Sequence, residues 1–263
     1  MLKANYKKLL GIVVLGLLWC NIGLAAKYIF PKALYTDCDI LTKEDPTSFQ
    51  KLSFVEEKKI SFWDRRKQKS SGWNKSSFKA FIFKSEFEKS KDVFIRVNSE
   101  FKTKEKAEEQ ALKYSNIAGQ LPNFLRTNLR TITIHKGKAA WGGGNYDILI
   151  HTGDLVGKYK NCVEEVMIHE GGHTSLDSVF GGSIKWYQWK KNAVDLDNKY
   201  ITKYAKDFPR REDVAETINW WIAVRCKIDR ISKSNYKKII EGIPNRLKYL
   251  DEQNFDTYPL VCK

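Results

Sequence analysis

The sequence predicts an α+β fold: a small mixed sheet packed on a helix bearing HEGGH and a second helix bearing paired glutamates. Three observations predict it. Segments 78–87, 92–101, 131–135 and 146–151 are rich in Phe, Ile and Val and alternate in part, as strands do. The stretch CVEEVMIHEGGHTSLD, residues 162–177, spaces His169 and His173 four apart, so a helix puts both imidazoles on one face with Glu170 beside them. The stretch REDVAETINWWIAVRCK, residues 211–227, reads as an amphipathic helix with Glu212 and Glu216 at the same spacing.

The chain has 263 residues, 42% of them hydrophobic, with eight Trp, enough for a sizeable core. Its net charge is +15, but the lysines are spread rather than clustered and no nucleic-acid motif accompanies them. A solvated basic surface is the reading, and nucleic acid is not an expected partner. Residues 1–25 have the make-up of a secretory signal peptide: Lys3, Lys7 and Lys8, an apolar run from Leu9 to Cys20, then Gly23-Leu24-Ala25 before a cut at Ala26. Left uncleaved, the same run would serve as a membrane anchor. Export leaves Cys38, Cys162, Cys226 and Cys262, an even count that fits two disulfides in any of three pairings, against the alternative of buried thiols. The expected location is secreted, or periplasmic in the cell envelope.

In order, residues 26–77 read as an N-terminal extension in which short apolar patches alternate with lysine-rich runs, and 65–72 read as an exposed loop. Residues 78–263 read as one main domain. After the strands at 78–87 and 92–101, helix formers fill 103–120, with Thr103 at the start and Ala107, Ala111, Leu112, Tyr114, Ile117 and Ala118 as its apolar face. Thr131 to His135 is a strand, Trp141 to Asn145 a glycine-rich turn, and Tyr146 to His151 a strand, of which Tyr146 to Ile150 is the expected sheet edge, open to pairing with an extended chain. Past Gly181-Gly182, residues 183–204 have near-helical spacing. A last helix covers about 235–249. Trp186, Trp189, Trp220 and Trp221 read as core packing, and His135 and His151 as structural.

Two imidazoles and a carboxylate in this arrangement can hold zinc and activate water. Zinc needs a third protein ligand. Asp177, Glu212 and Glu216 are the candidates, because the positions of a longer three-histidine pattern hold Leu176 and Val179 instead.

The combination of HEGGH with Tyr204-Ala-Lys-Asp-Phe-Pro and Glu212-Asp-Val-Ala-Glu216, 39 residues beyond His173, resembles the gluzincin-type zinc metallopeptidases, among them the anthrax lethal factor-like and Pro-Pro endopeptidase-like families. The resemblance covers residues 146–225. It implies a zincin-like metallopeptidase domain with Zn2+ held by His169, His173 and Glu212. It also implies Glu170 as general base, Tyr204 as oxyanion donor (with Tyr200 the alternative), and Glu216 and Asp177 as outer carboxylates. Tyr204 stands eight residues before Glu212 where the family pattern has seven, and Gly171-Gly172 replaces larger residues.

The expected function is an exported zinc-dependent metallopeptidase acting on a peptide or protein substrate, an endopeptidase rather than an exopeptidase. The alternative is a non-catalytic envelope binding protein on the same zincin-like fold. If the two motif helices run antiparallel, Cys226 falls toward Cys162, giving Cys162–Cys226 and Cys38–Cys262 as the expected disulfides.

Overall fold

A computed structural model describes residues 27–32, 38–67, 75–153, 155 and 161–262. The expected signal peptide lies outside the described residues. A short strand, β1 (Lys27–Phe30), is followed by a long hairpin of β2 (Phe49–Trp63) and β3 (Lys75–Phe87). Then come β4 (Val93–Asn98), β5 (Thr131–His135), β6 (Gly142–Gly144) and β7 (Asp147–His151). The main sheet has the order β2-β3-β4-β5-β7-β6; β4, β5 and β7 are parallel and the outer pairs antiparallel. β7 is buried along its whole length, as a strand covered on both faces must be, which fits the consecutive apolar residues Ile148, Leu149 and Ile150 at its centre.

This order corrects the sequence reading of the edge. Residues 146–150 are not the sheet edge: Asp147 to His151 lie between β5 and β6, and the glycine stretch read as a turn supplies the edge strand, β6. Asn145 and Tyr146, both at positive φ (51° and 68°), make the two-residue turn between β6 and β7. The segment read as an N-terminal extension also takes part in this architecture. β2 is the opposite edge of the same sheet, and β1 pairs in parallel with β8 (Lys199–Thr202) in a separate two-stranded sheet.

The helices pack on this frame. α1 (Lys104–Gln120) starts at Thr103, whose hydroxyl accepts from the Lys106 N–H, and buries the predicted face except Leu112, which is exposed. α2 (Asn123–Arg126) is one turn. α3 (Val163–Ser175) carries HEGGH. The helical spacing at 183–204 resolves into α4 (Trp186–Trp189), a π-helical turn, α5 (Asp195–Asp197) and then β8. Asn198, in the left-handed region at φ 47°, stops the helix there. α6 (Lys203–Asp207) leads into α7 (Pro209–Cys226), opened by Pro209 in its first turn. Residues 212–224 of α7 are buried all round, so it is a central helix, buried on more than the one face an amphipathic pattern predicts. The last expected helix is two, α8 (Lys233–Gly242) and α9 (Pro244–Asp251), because Pro244 has no N–H to continue the ladder.

α3 packs closely through its two glycines, Gly172 against α7 and Gly171 against α2. A Cβ placed on Gly172 would stand 3.1 Å from the Ala215 Cα, and one on Gly171 would stand 3.3 Å from the Leu125 Cβ. Two glycines cost a helix roughly 1 kcal/mol each relative to alanine; here they allow the helix to be approached from both sides. A buried network holds α7 from its other side: Arg246 of α9 pairs with Asp213 at 2.9 Å and Asp197 at 2.8 Å, and the Trp189 indole donates to Asp213 at 2.7 Å.

The disulfide pairing also corrects the expectation. Cys38 joins Cys162 and Cys226 joins Cys262, with Cα separations of 4.6 and 4.0 Å. The segment after Cys38 docks on the start of α3, where Glu165 accepts from the Ile40 N–H at 2.8 Å, and this brings Cys38 to Cys162. Such bonded pairs accord with an oxidising, extracellular environment. Among the described residues, no helix is long and apolar enough to cross a membrane.

Candidate metal centre

The i, i+4 spacing on α3 sets His169 and His173 on one face with their Nε2 atoms 3.1 Å apart. Glu212 enters from the first turn of α7, its Oε2 lying 3.2 Å from His173 Nε2 and 3.4 Å from His169 Nε2. All three residues are buried, and their ligand atoms form a compact triangle. A tetrahedral cation with metal–ligand distances of about 2.0–2.1 Å holds its ligands about 3.3–3.4 Å apart. The observed edges are close to that, so this group can hold a metal ion.

Each imidazole faces a second carboxylate through its other nitrogen. His169 Nδ1 lies 3.3 Å from Glu216 Oε1, and His173 Nδ1 lies 3.4 Å from Asp177 Oδ2. These separations are longer than an ordinary hydrogen bond but within ion-pair reach. The carboxylates are themselves held: Glu216 Oε2 accepts from the Thr202 hydroxyl at 2.7 Å, and Asp177 Oδ1 accepts from the Val179 N–H at 2.8 Å. Outer carboxylates in this position orient the rings and raise their basicity toward a cation.

The charges agree. Burial opposes protonation of His169, yet the facing Glu212 and Glu216 carboxylates outweigh it and hold its pKa well above the ordinary value. His173 is raised likewise against burial, by Asp177 and Glu212. Glu212 is held far below the usual carboxylate range despite its burial, by the same two imidazoles. Burial dominates at Glu216 and pushes its pKa up. The triangle therefore attracts positive charge at its centre, and a cation bound there would displace the Nε2 protons and leave the Nδ1–H groups to the outer carboxylates.

Tyr204, on α6, donates from its hydroxyl to Glu212 Oε1 at 3.1 Å. The helix break at Phe208 between α6 and α7 gives the eight-residue spacing room to close. Tyr200 instead packs on Arg246, whose guanidinium carbon lies 5.2 Å from its ring centre. Glu170 lines the same cleft, a space of about 670 Å³ bounded by β6, the end of β2, Phe180 and the triangle itself. β6 is held tightly over α3: a Cβ on Gly143 would fall 2.0 Å from the Glu170 carbonyl oxygen, and the Gly144 N–H donates to the Thr174 hydroxyl at 3.0 Å. Only a glycine at position 143 lets the edge strand come so close to the helix.

His135 and His151 lie apart from this group, stacked on each other with ring centres 5.2 Å apart. His135 is fixed between the Asn98 amide and the Trp63 carbonyl, in keeping with a structural role. Trp189, Trp220 and Trp221 are buried in the core, and Trp186 is partly buried against it. Sequence reasoning missed Trp63, Arg65, Phe180 and Arg211, which line the cleft. Arg65 and Arg66 had only a basic run to mark them. Arg66 pairs with Asp64 and Glu100 at 2.8 Å, whereas Arg65 turns into the cleft and donates to the Trp141 carbonyl.

Comparison with protein-family models, with curated proteins and with solved structures found no match for this chain.

Proposed function

We propose that this protein is an exported zinc-dependent metallopeptidase with a zincin-like domain. The observation that carries the reading is the doubly supported triangle: two imidazoles and Glu212 within 3.4 Å of one another, each ring backed by a further buried carboxylate, at the wall of a cleft that Glu170 also lines. The two imidazoles and single carboxylate favour zinc over the oxygen-loving cations.

His169, His173 and Glu212 would hold the ion, and it would supply the Lewis-acid polarisation of a carbonyl and of water. Glu170 takes the proton of the attacking water and delivers it to the leaving amine. Tyr204 stays protonated, because burial and the neighbouring Glu212 carboxylate push its pKa up to about 12. Its hydroxyl is thus a donor at neutral pH, able to leave Glu212 Oε1 for the oxygen that becomes negative as water adds. β6, the edge strand beside the triangle, can accept an extended peptide by strand addition.

The test is digestion of a peptide library by the wild type and Glu170→Gln, with the metal content of both measured. Cleavage by the wild type, loss of cleavage in Glu170→Gln and equal zinc in the two support the reading. Zinc-free wild-type protein sinks it. Full zinc with no cleavage by either form would point to the envelope binding protein.

A further inference from the structure

We propose that His135 is a positioning residue for the cleft: as a neutral imidazole it holds the end of β2 against the sheet and keeps Trp63 and Arg65 in the cleft wall, and on protonation in mild acid it releases them. This latch does not depend on the peptidase reading above.

The end of β2 needs holding. The β3–β4 ladder begins at Ala80, so residues 75–79 of β3 pair with residues 59–63 of β2 and with no further strand. A two-stranded ribbon is marginal by itself. Phe62 and Trp63, the last residues of β2, and Arg65 just beyond them line the cleft. His135 on β5 is fully buried and meets this ribbon twice. Its Nε2 lies 3.0 Å from the Trp63 carbonyl oxygen, and its ring packs edge to face with Phe78, centres 4.8 Å apart. Arg65 and Arg66 add contacts to the Trp141 carbonyl and to Glu100, but a guanidinium keeps its proton at every working pH. The imidazole is the contact that titrates near neutrality.

The surrounding hydrogen bonds fix the form of the ring. Asn98 Oδ1 accepts from the Glu100 N–H at 3.1 Å, so its amide NH2 faces His135 Nδ1, 2.9 Å away. Nδ1 is therefore the acceptor, and the proton sits on Nε2, which donates to Trp63. A second proton, on Nδ1, would set donor against donor. The charged groups facing the ring are already engaged: Asp64 and Glu100 both pair with Arg66 at 2.8 Å, and Arg65 and Arg66 bring positive charge. His151 stacks on the ring with centres 5.2 Å apart, and burial and His135 oppose its charging. Burial holds the His135 pKa below its ordinary 6.5, with Arg66 assisting and Asp64, the Trp63 carbonyl and Glu100 opposing. β5 is paired on both sides, so the ring cannot leave the sheet; its charge is hydrated when the ribbon end lifts away. The latch therefore weakens as pH falls below the value of the freed imidazole.

The test is imidazole NMR and amide hydrogen exchange of the purified protein between about pH 5 and 7.5, around the free imidazole value, with metal content measured at each pH. The chain has 4 histidines, so the ring signals can be assigned by substitution. The expected result is a proton on Nε2 and none on Nδ1 of His135 at the neutral end, then about tenfold loss of amide protection in residues 60–65 as that ring charges. His135→Gln keeps a neutral donor for the Trp63 carbonyl and leaves the metal ligands alone, so its protection should hold across the range. Asn98→Asp offers an acceptor to the new Nδ1–H and should hold it too, which keeps the proposal testable if His135→Gln fails to fold, judged by melting. A proton on Nδ1 at neutral pH, a ring still neutral at the acid end, protection unchanged as the ring charges, or an equal loss in the folded variants overturns the proposal. With a peptide that is cleaved, KM should rise about tenfold over the same range in the wild type and stay level in His135→Gln. Absence of cleavage in every form would remove the peptidase reading and leave the latch. Cleavage with an unmoved ribbon would do the reverse.

Discussion

Gly172 and Ala215 meet backbone to backbone where α3 crosses α7, and a methyl group on the glycine would stand 3.1 Å from the Ala215 Cα. Two effects compete in Gly172→Ala. Helix propensity favours alanine by roughly 1 kcal/mol. Overpacking against a backbone atom costs about 1–3 kcal/mol. The backbone cannot rotate away as a side chain would, so the second effect should win. Urea unfolding is expected to show net destabilisation, together with weaker zinc binding, because the same crossing sets the distance from Glu212 to the histidines.

The outer carboxylates should act on metal affinity rather than on its presence. His173→Ala and Glu212→Ala are expected to be purified without stoichiometric zinc. Glu216→Gln should keep zinc but yield it to a competing chelator about 10–100-fold more readily, as loss of a ring-orienting partner does. Unchanged affinity in Glu216→Gln would remove its assigned part in holding His169, which it faces at 3.3 Å.

Tyr204→Phe isolates the hydroxyl. The ring contact with Phe208, 5.4 Å between centres, is kept, and the bond to Glu212 is lost. Zinc content and melting temperature should change little, while kcat falls about 10²–10³-fold with KM nearly unchanged, the loss of one oxyanion donor. A fall confined to KM would assign Tyr204 to substrate binding instead.

Glu165 predicts a pH dependence of stability. It is fully buried beside the Cys38–Cys162 bond, and burial raises its pKa from 4.5 to about 7, against the Leu41 and Ile40 N–H groups. The folded state therefore binds the proton more tightly than the unfolded chain. Its contribution is fully favourable below pH 4.5 and is lost as pH rises through 7. The loss is on the order of 3 kcal/mol. Glu165→Gln, which still offers an oxygen to the Ile40 N–H, should flatten the decline between pH 5 and 8 in denaturation curves.

Removing the Cys38–Cys162 bond should also destabilise, by about 2–5 kcal/mol. Non-reducing peptide mapping is expected to recover Cys38 with Cys162 and Cys226 with Cys262. Thermal unfolding of Cys38→Ser/Cys162→Ser should then show the lower midpoint.

What could be read from the sequence was local. The four-residue spacing of His169 and His173, and again of Glu212 and Glu216, marks two helix faces, because a helix repeats every 3.6 residues whatever surrounds it. Thr131 to His135 is a strand for the same kind of reason: alternation and β-branching act within a few residues. Where tertiary contacts outweigh local pattern, the reading failed. The glycines at 142–144 look like a turn, yet they form the edge strand, because Gly143 alone can approach the Glu170 carbonyl. The cysteine pairing depended on Glu165 docking residues 40 and 41, and the place of Arg65 on how far the β2–β3 hairpin extends. No spacing in the chain encodes these, since each joins residues about 75 to 125 positions apart. The sequence by itself determined which residues could form a metal site and on which helices; packing alone decided how closely the helices cross, which strand lies open beside them, and which charges line the cleft.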